Sequence, residues 1–209
     1  MKPVLALICI ALLVPSLAHA RPVSYPEGVT LMQKNDMNRN SVHIHYSPTA
    51  KYSVGYRGEY WRENGWRFHG VQVNNLIKRW NQPASQANFY LKSGIGIAHS
   101  DENGSELGVF TGIAADWEDR RYFTSYENRL YHAGDENQFF MQSARIGIAP
   151  YVGDYGDLHT WFMLQVDHQP ENRDSITVTP LVRFFRSEYM AEIGVSDNGD
   201  ALLNLIIRY

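Results

Sequence analysis

Two histidines one residue apart, His43 and His45, form the shortest stretch of this chain whose residue types and spacing suggest chemistry. In an extended strand residues i and i+2 point the same way. Both imidazoles therefore face one side, opposite Val42, Ile44 and Tyr46. Paired imidazoles suit zinc, copper or nickel, so a divalent metal held by His43 and His45 is one expectation. The plainer reading is two polar rings on the polar side of a strand, because no acidic or cysteine partner stands at ligand spacing.

A second set is charged: Arg57 and Glu59, Lys92, Arg145, Arg183, Glu192 and Arg208, with Glu127 and Arg129 between them. Read functionally, these side chains line a passage and bias which solutes enter it. Read structurally, they are salt-bridged fillers, since buried charges are costly unless paired. Nucleophilic catalysis needs a nucleophile and a base held together. The chain has no G-x-S-x-G stretch. Ser47 shares the face of His43 and His45 but immediately precedes Pro48, and Ser125 and Glu127 share a face without a histidine. Gly94-x-Gly96 lies within an alternating segment that precedes no helix, so it is not a nucleotide loop. No cofactor is implied beyond the metal.

The elements that must position these residues are strands. SVHIHYS (41–47), KYSVGYRGEYW (51–61), NFYLKSGIGIAHS (88–100), LGVFTGIAADW (107–117), HTWFMLQVD (159–167), ITVTPLVRFF (176–185) and EYMAEIGV (188–195) all alternate apolar and polar residues. Such alternation gives each strand one apolar and one polar face. Turn signals separate them: NDMNRN, ENG, NQPASQ, DENGSE, AGDEN, PENRDS and SDNGD. The pattern predicts about twelve strands, at 28–34, 41–47, 51–62, 65–79, 88–99, 107–117, 121–132, 138–149, 158–167, 175–186, 188–196 and 201–209. Within 65–79, Val71 and Val73 oppose Trp66 and Phe68 in parity, which predicts a bulge or an early end there.

The first twenty residues carry Lys2, an apolar run from Val4 to Val14, and Ala18-His19-Ala20. That is the layout of a secretory leader, and it divides the chain into a cleaved signal peptide, 1–20, and one domain, 21–209. The single cysteine, Cys9, falls in the leader, so the domain has no disulfide or thiolate. No later segment is apolar enough to cross a bilayer as a helix. A formal net charge of −3 argues against nucleic acid as a partner.

Two all-β architectures fit one apolar and one polar face per strand. A soluble lipocalin-like barrel carrying an apolar ligand would turn the apolar faces inward. A transmembrane barrel inverts this, with apolar faces toward lipid and polar faces inside. Three features favour inversion. The polar faces mix charges with Gly55, Gly94, Gly96, Gly147 and Gly194, and glycine weakens a solvent-facing strand without benefit. Aromatic residues gather at strand ends: Tyr60, Trp61, Trp66, Trp80, Tyr90, Trp117, Tyr122, Tyr189 and Tyr209, as interfacial girdles require. The odd-numbered turns are the acidic ones, as if they share one end of an up-and-down meander. On that count His43, His45, His69, His99, His132 and His168 favour the same rim.

The chain closes on ALLNLIIRY, with Leu203, Leu205, Ile207 and Tyr209 on one face. Together with the leader, the absence of cysteine from the mature chain and the tyrosine-rich alternating strands, this resembles Gram-negative outer-membrane β-barrels. The resemblance implies a single antiparallel up-and-down transmembrane barrel in the cell outer membrane, embedded in its lipid. It also implies that Leu203, Leu205, Ile207 and Tyr209 are the signal read by the barrel-assembly machinery, with Tyr209 anchored at the periplasmic interface. A small passive channel or structural barrel with a polar lumen is the expected function, with small solutes as its partners. Twelve strands lie between barrels filled by side chains and barrels with open channels, so a narrow or blocked lumen is expected. An outer-membrane lipid hydrolase is the alternative, and it would need a His/Ser pair on the lipid-facing wall.

Overall fold

The computed structural model describes residues 22–36, 38–62, 65–101, 104–134, 137–154, 156–171 and 175–209, and the expected leader lies outside them. The described residues form twelve strands and no helix. In chain order these are β1 (Gly28–Asn35), β2 (Arg39–Thr49), β3 (Tyr52–Trp61), β4 (Trp66–Asn81), β5 (Ser85–Ser100) and β6 (Gly104–Asp119). They continue with β7 (Tyr122–Ala133), β8 (Asn137–Ile148), β9 (His159–His168), β10 (Ile176–Arg186), β11 (Tyr189–Val195) and β12 (Ala201–Arg208). Each strand pairs with its sequence neighbours, and β12 pairs antiparallel with β1, so the sheet closes into an up-and-down barrel. Closure extends to the last residue: Val29 N donates to Tyr209 O at 2.9 Å, and Tyr209 N returns the bond at 2.8 Å.

The alternation sets the two walls. Tyr56, Ile95, Leu164, Ile193 and Leu205 project outward and are exposed, whereas Arg57, Glu59, Lys92 and Arg208 point inward and are buried. An exposed apolar wall around a charged interior is the arrangement of a transmembrane barrel and not of a soluble carrier. The odd-numbered turns gather at one end, the loop end. The even-numbered turns and Tyr209 gather at the other, the terminal end.

The interior is not uniformly polar. Trp61, Trp66, Phe68, Phe110 and Tyr131 form a buried aromatic cluster inside the loop-end half, with Phe139 and Met141 against it. Trp161, Met163, Leu181 and Leu202 form a second cluster. Trp61 and Trp66 therefore leave the expected girdle and fill the lumen, as does fully buried Tyr90. Tyr60, Trp80, Trp117, Tyr122, Tyr189 and Tyr209 remain on the outer wall at strand ends. Inward Trp66 and Phe68 also resolve the parity conflict in β4, since Val71 faces out and the ladder with β3 runs unbroken through Trp66–Asn75. The register shift lies further on, between Leu76 and Lys78, and it puts Ile77 and Lys78 outward in succession. Gly94 is small for a packing reason, because a Cβ there would overlap the ring of Phe110.

The chain enters β1 through Tyr25-Pro26-Glu27-Gly28, where Gly28 N donates to Tyr25 O at 3.1 Å. Proline at the second position and a positive φ of 68° at Glu27 make this a type II turn with a non-glycine third residue. The turn folds residues 22–24 back into the barrel, so Val23 is buried against Tyr90 and Ala114.

The wall is interrupted once between β6 and β7, where pairing stops at Thr111↔Leu130 and resumes at Ala114↔Glu127. A side chain covers the gap: Ile113 N donates to Asn128 Oδ1 at 3.0 Å. The row continues outward, with Asn128 Nδ2 donating to Tyr126 Oη (3.2 Å), Tyr126 Oη to Gln142 Oε1 (2.8 Å) and Gln142 Nε2 to His168 Nδ1 (2.9 Å). In hydrocarbon an unpaired backbone N–H has no water to turn to. Asn128→Leu is thus expected to destabilise the barrel by about 1–3 kcal/mol, read as a shift in its urea unfolding from lipid vesicles.

Candidate functional site

Three carboxylates organise the lumen. Glu59, on β3, gathers Arg57, the phenol of Tyr131, Arg39 at 3.4 Å and Arg129 at 3.5 Å. Glu127, on β7, pairs with Lys92 at 2.8 Å and Arg129 at 2.6 Å, so Arg129 joins the first two groups. Glu192, on β11, takes Arg145 at 3.0 Å, Arg183 at 2.8 Å and the amide of Asn204 at 2.7 Å. Each hub draws on several strands because inward residues of neighbouring strands meet at one height. The aromatic cluster supports these cations from behind: Arg39 lies 4.9 Å from the Trp61 ring, and Arg57 and Arg129 lie 5.8 and 5.4 Å from Phe110. Cations over aromatic faces gain further attraction when desolvated.

From the first hub a hydrogen-bonded file descends the inner wall of β3 and β4. Arg57 Nη1 donates to Gln72 Oε1 at 3.0 Å, and Gln72 Nε2 donates to Asn74 Oδ1 at 2.5 Å. Asn74 Nδ2 donates to Ser53 Oγ at 2.9 Å, and Ser53 Oγ donates to Pro22 O at 2.8 Å. Gln72 and Asn74 alternate with Val71 and Val73, a period-two signal that reads as lumen once the valines are assigned to lipid. Tyr131 carries the same signal, since it shares parity with Glu127 and Arg129.

All seven lumen candidates, Arg57, Glu59, Lys92, Arg145, Arg183, Glu192 and Arg208, lie on the inner wall, Arg145 and Arg183 being only partly buried. Between the hubs a cavity of about 150 Å³ remains, bordered by Lys34, Lys92, Arg145 and Arg183 on one sign and by Asp116, Glu127 and Asp167 on the other. It has room for on the order of ten waters. A smaller cavity of about 60 Å³ lies toward the loop end, beside Asp36 and Asp200. Burial holds the Asp36 carboxyl above the usual carboxylate range, against the opposing pull of Arg39.

His43 and His45 do share a face, with ring centroids 4.6 Å apart and planes tilted by 33°. Their setting differs from the expected outer mouth. Strand β2 begins at Arg39, so the rings sit midway along it, buried on its inner face. The charged groups acting on them are Arg57, Lys92, Arg129 and Arg208, all cations. Among the described residues no group of three or more His, Cys, Asp or Glu gathers to hold a metal. A divalent cation here would meet, beside the two imidazoles, the positive charges of Arg57, Lys92, Arg129 and Arg208. His69 and His99 do face outward toward the loop end, where His69 Nδ1 lies 2.6 Å from the Tyr56 hydroxyl. His99 Nδ1 lies 3.1 Å from Ser105 Oγ on the lipid-facing wall.

Comparison with known proteins concerns the fold. A KdgM porin, solved in complex with disordered oligogalacturonate, superposes with a TM-score of 0.51 at 7% sequence identity, covering 87% of this chain and 98% of that one. The chain shares the KdgM porin fold. A second KdgM porin structure matches at TM-score 0.49 and 8% identity, with 87% and 98% coverage. Outer membrane protein Omp33 of Acinetobacter baumannii matches at 0.40 and 9% identity, with 90% and 99% coverage. No protein-family model and no curated protein matches the sequence. Glu59→Gln is expected to leave Arg39, Arg57 and Arg129 converging on a neutral amide, destabilising the folded barrel by about 3–5 kcal/mol. The heat needed to convert the folded to the unfolded gel species measures this.

Proposed function

We propose that this chain is a narrow passive channel of a Gram-negative outer membrane, passing small hydrophilic solutes through its charged lumen. The reading rests on one observation: a cavity of about 150 Å³ with charged walls, enclosed by a barrel whose outer face is apolar. The KdgM porin fold supports it. The hubs at Glu59, Glu127 and Glu192 and the aromatic cluster leave little free cross-section, so conductance should be small.

Lys34 faces the cavity from β1 and gives the passage a charge that substitution can reverse. One KdgM porin structure was solved with oligogalacturonate, a polyanion. An acidic solute in this lumen would meet Lys34, Lys92, Arg145 and Arg183. On the same reading residues 1–20 are the leader, the loop end faces the outside, and the terminal end faces the periplasm. Leu203, Leu205, Ile207 and Tyr209 then carry the assembly signal on a strand that must pair on both sides.

Purified protein in a planar bilayer is expected to give small, discrete, ion-selective current steps. Lys34→Glu should shift the reversal potential toward cations. Silence of the wild-type protein would make it a structural barrel instead. Deleting Tyr209 is expected to lower the fraction of chains that reach the folded, heat-modifiable form in membranes, while a chain refolded into detergent keeps its barrel.

A further inference from the structure

Residues 22–24 are not part of the wall, yet they are seated inside the barrel. Val23 is 1% exposed and packs against Tyr90 and Ala114, with Leu76 beside it. These partners come from β4, β5 and β6, across the lumen from β1. Pro22 O accepts from Ser53 Oγ at 2.8 Å and from Asn74 Nδ2 at 3.3 Å, and Ser24 N donates to Ser47 Oγ at 3.1 Å. The segment therefore bridges the inner walls of β2, β3, β4, β5 and β6 at the terminal end. Pro22 also borders the main cavity, which places the segment at its floor.

We propose that residues 22–24 are a lumenal strap that closes the terminal end of the passage, and that its release sets the conducting cross-section. The proposal rests on the channel reading and names how that channel is regulated. The seat is made by side chains of the chain itself: an apolar pocket at Tyr90 and Ala114 and three hydrogen bonds, two of them to one carbonyl. Those bonds end the file that begins at Glu59. Ordering at the loop-end hub thus reaches the strap through Arg57, Gln72 and Asn74. The hinge is the turn at Tyr25–Gly28, where Glu27 adopts the left-handed region that non-glycine residues seldom occupy. A segment held by one small apolar side chain and a few hydrogen bonds can leave its seat without disturbing the strands, because its backbone donates nothing to the barrel ladder before Glu27 N meets Ser47 O at 2.8 Å.

Two measurements test the strap. Val23→Asp places a carboxylate against Tyr90 and Ala114, and Ser53→Ala with Asn74→Ala removes both donors to Pro22 O. Either variant, shown to be folded by heat-modifiable gel mobility, is expected to conduct at least about twofold more than the wild type in a planar bilayer. Unchanged conductance in folded variants overturns the proposal and leaves the channel reading standing. In a Cys9→Ser background, Val23→Cys should react slowly with a membrane-impermeant maleimide, while Tyr25→Cys reacts quickly. Equal rates at the two positions overturn the strap without touching the channel. Silence of wild type and variants alike, with a protected thiol at position 23, overturns both.

Discussion

One constraint governs this molecule: a wall that faces hydrocarbon has no water to complete its backbone hydrogen bonds. Every N–H and C=O must find its partner within the sheet, and only a closed ladder provides that. The two reciprocal hydrogen bonds between Val29 and Tyr209 show how far the requirement reaches, since they pair residue 209 itself. The same demand explains a polar side chain where lipid would favour an apolar one. Asn128 stands on the outer wall because the β6–β7 ladder opens there and Ile113 N needs an acceptor. Tyr126, Gln142 and His168 then satisfy Asn128 and one another, so the exception costs no further orphan.

Closure forces an interior, and the interior obeys a second rule. Charges removed from bulk water persist only when paired and hydrogen-bonded. Glu59, Glu127 and Glu192 meet this by collecting cations from several strands, and Arg129 ties two of the three together. Apolar side chains take up the rest of the space, with the Trp61–Tyr131 cluster behind the first hub and Trp161 and Met163 in the second cluster. Polar pairing and aromatic packing thus reinforce each other across the same cross-section. What stays open is the volume that neither could fill.

The strands and their outward faces were legible because period-two alternation is a local signal. Tyr56, Ile95 and Leu205 needed only their neighbours to be assigned. The interior was harder because it is decided by contacts between distant strands. Trp61 and Trp66 sit at strand ends, where a ring can turn to the membrane interface or to the lumen with equal local sense. Parity alone separates these, and in β4 the parity of Trp66 and Phe68 pointed correctly inward while aromatic preference pointed out. The register shift at Ile77 hid the change of face in the second half of that strand. His43-x-His45 illustrates the same limit: spacing put the rings together, but their electrostatic setting comes from Arg57, Lys92, Arg129 and Arg208, which lie on other strands.

Residues 22–24 lay beyond any periodic signal, since three residues cannot establish a period. Their position follows from the turn after them and from the acceptor that Pro22 offers. Proline has no N–H, so its carbonyl is its one backbone hydrogen-bonding group. In the interior that carbonyl accepts from both Ser53 and Asn74, adding an acceptor for the Ser53 hydroxyl proton beside the hydrogen bond the two side chains make to each other. The descending file of polar residues and residues 22–24 therefore complete each other. The barrel needs an acceptor at the foot of the file, and the segment needs donors to stay inside. A lumen closed by such mutual satisfaction is stable at rest yet depends on few contacts, and that combination lets a passive wall contain a part that moves.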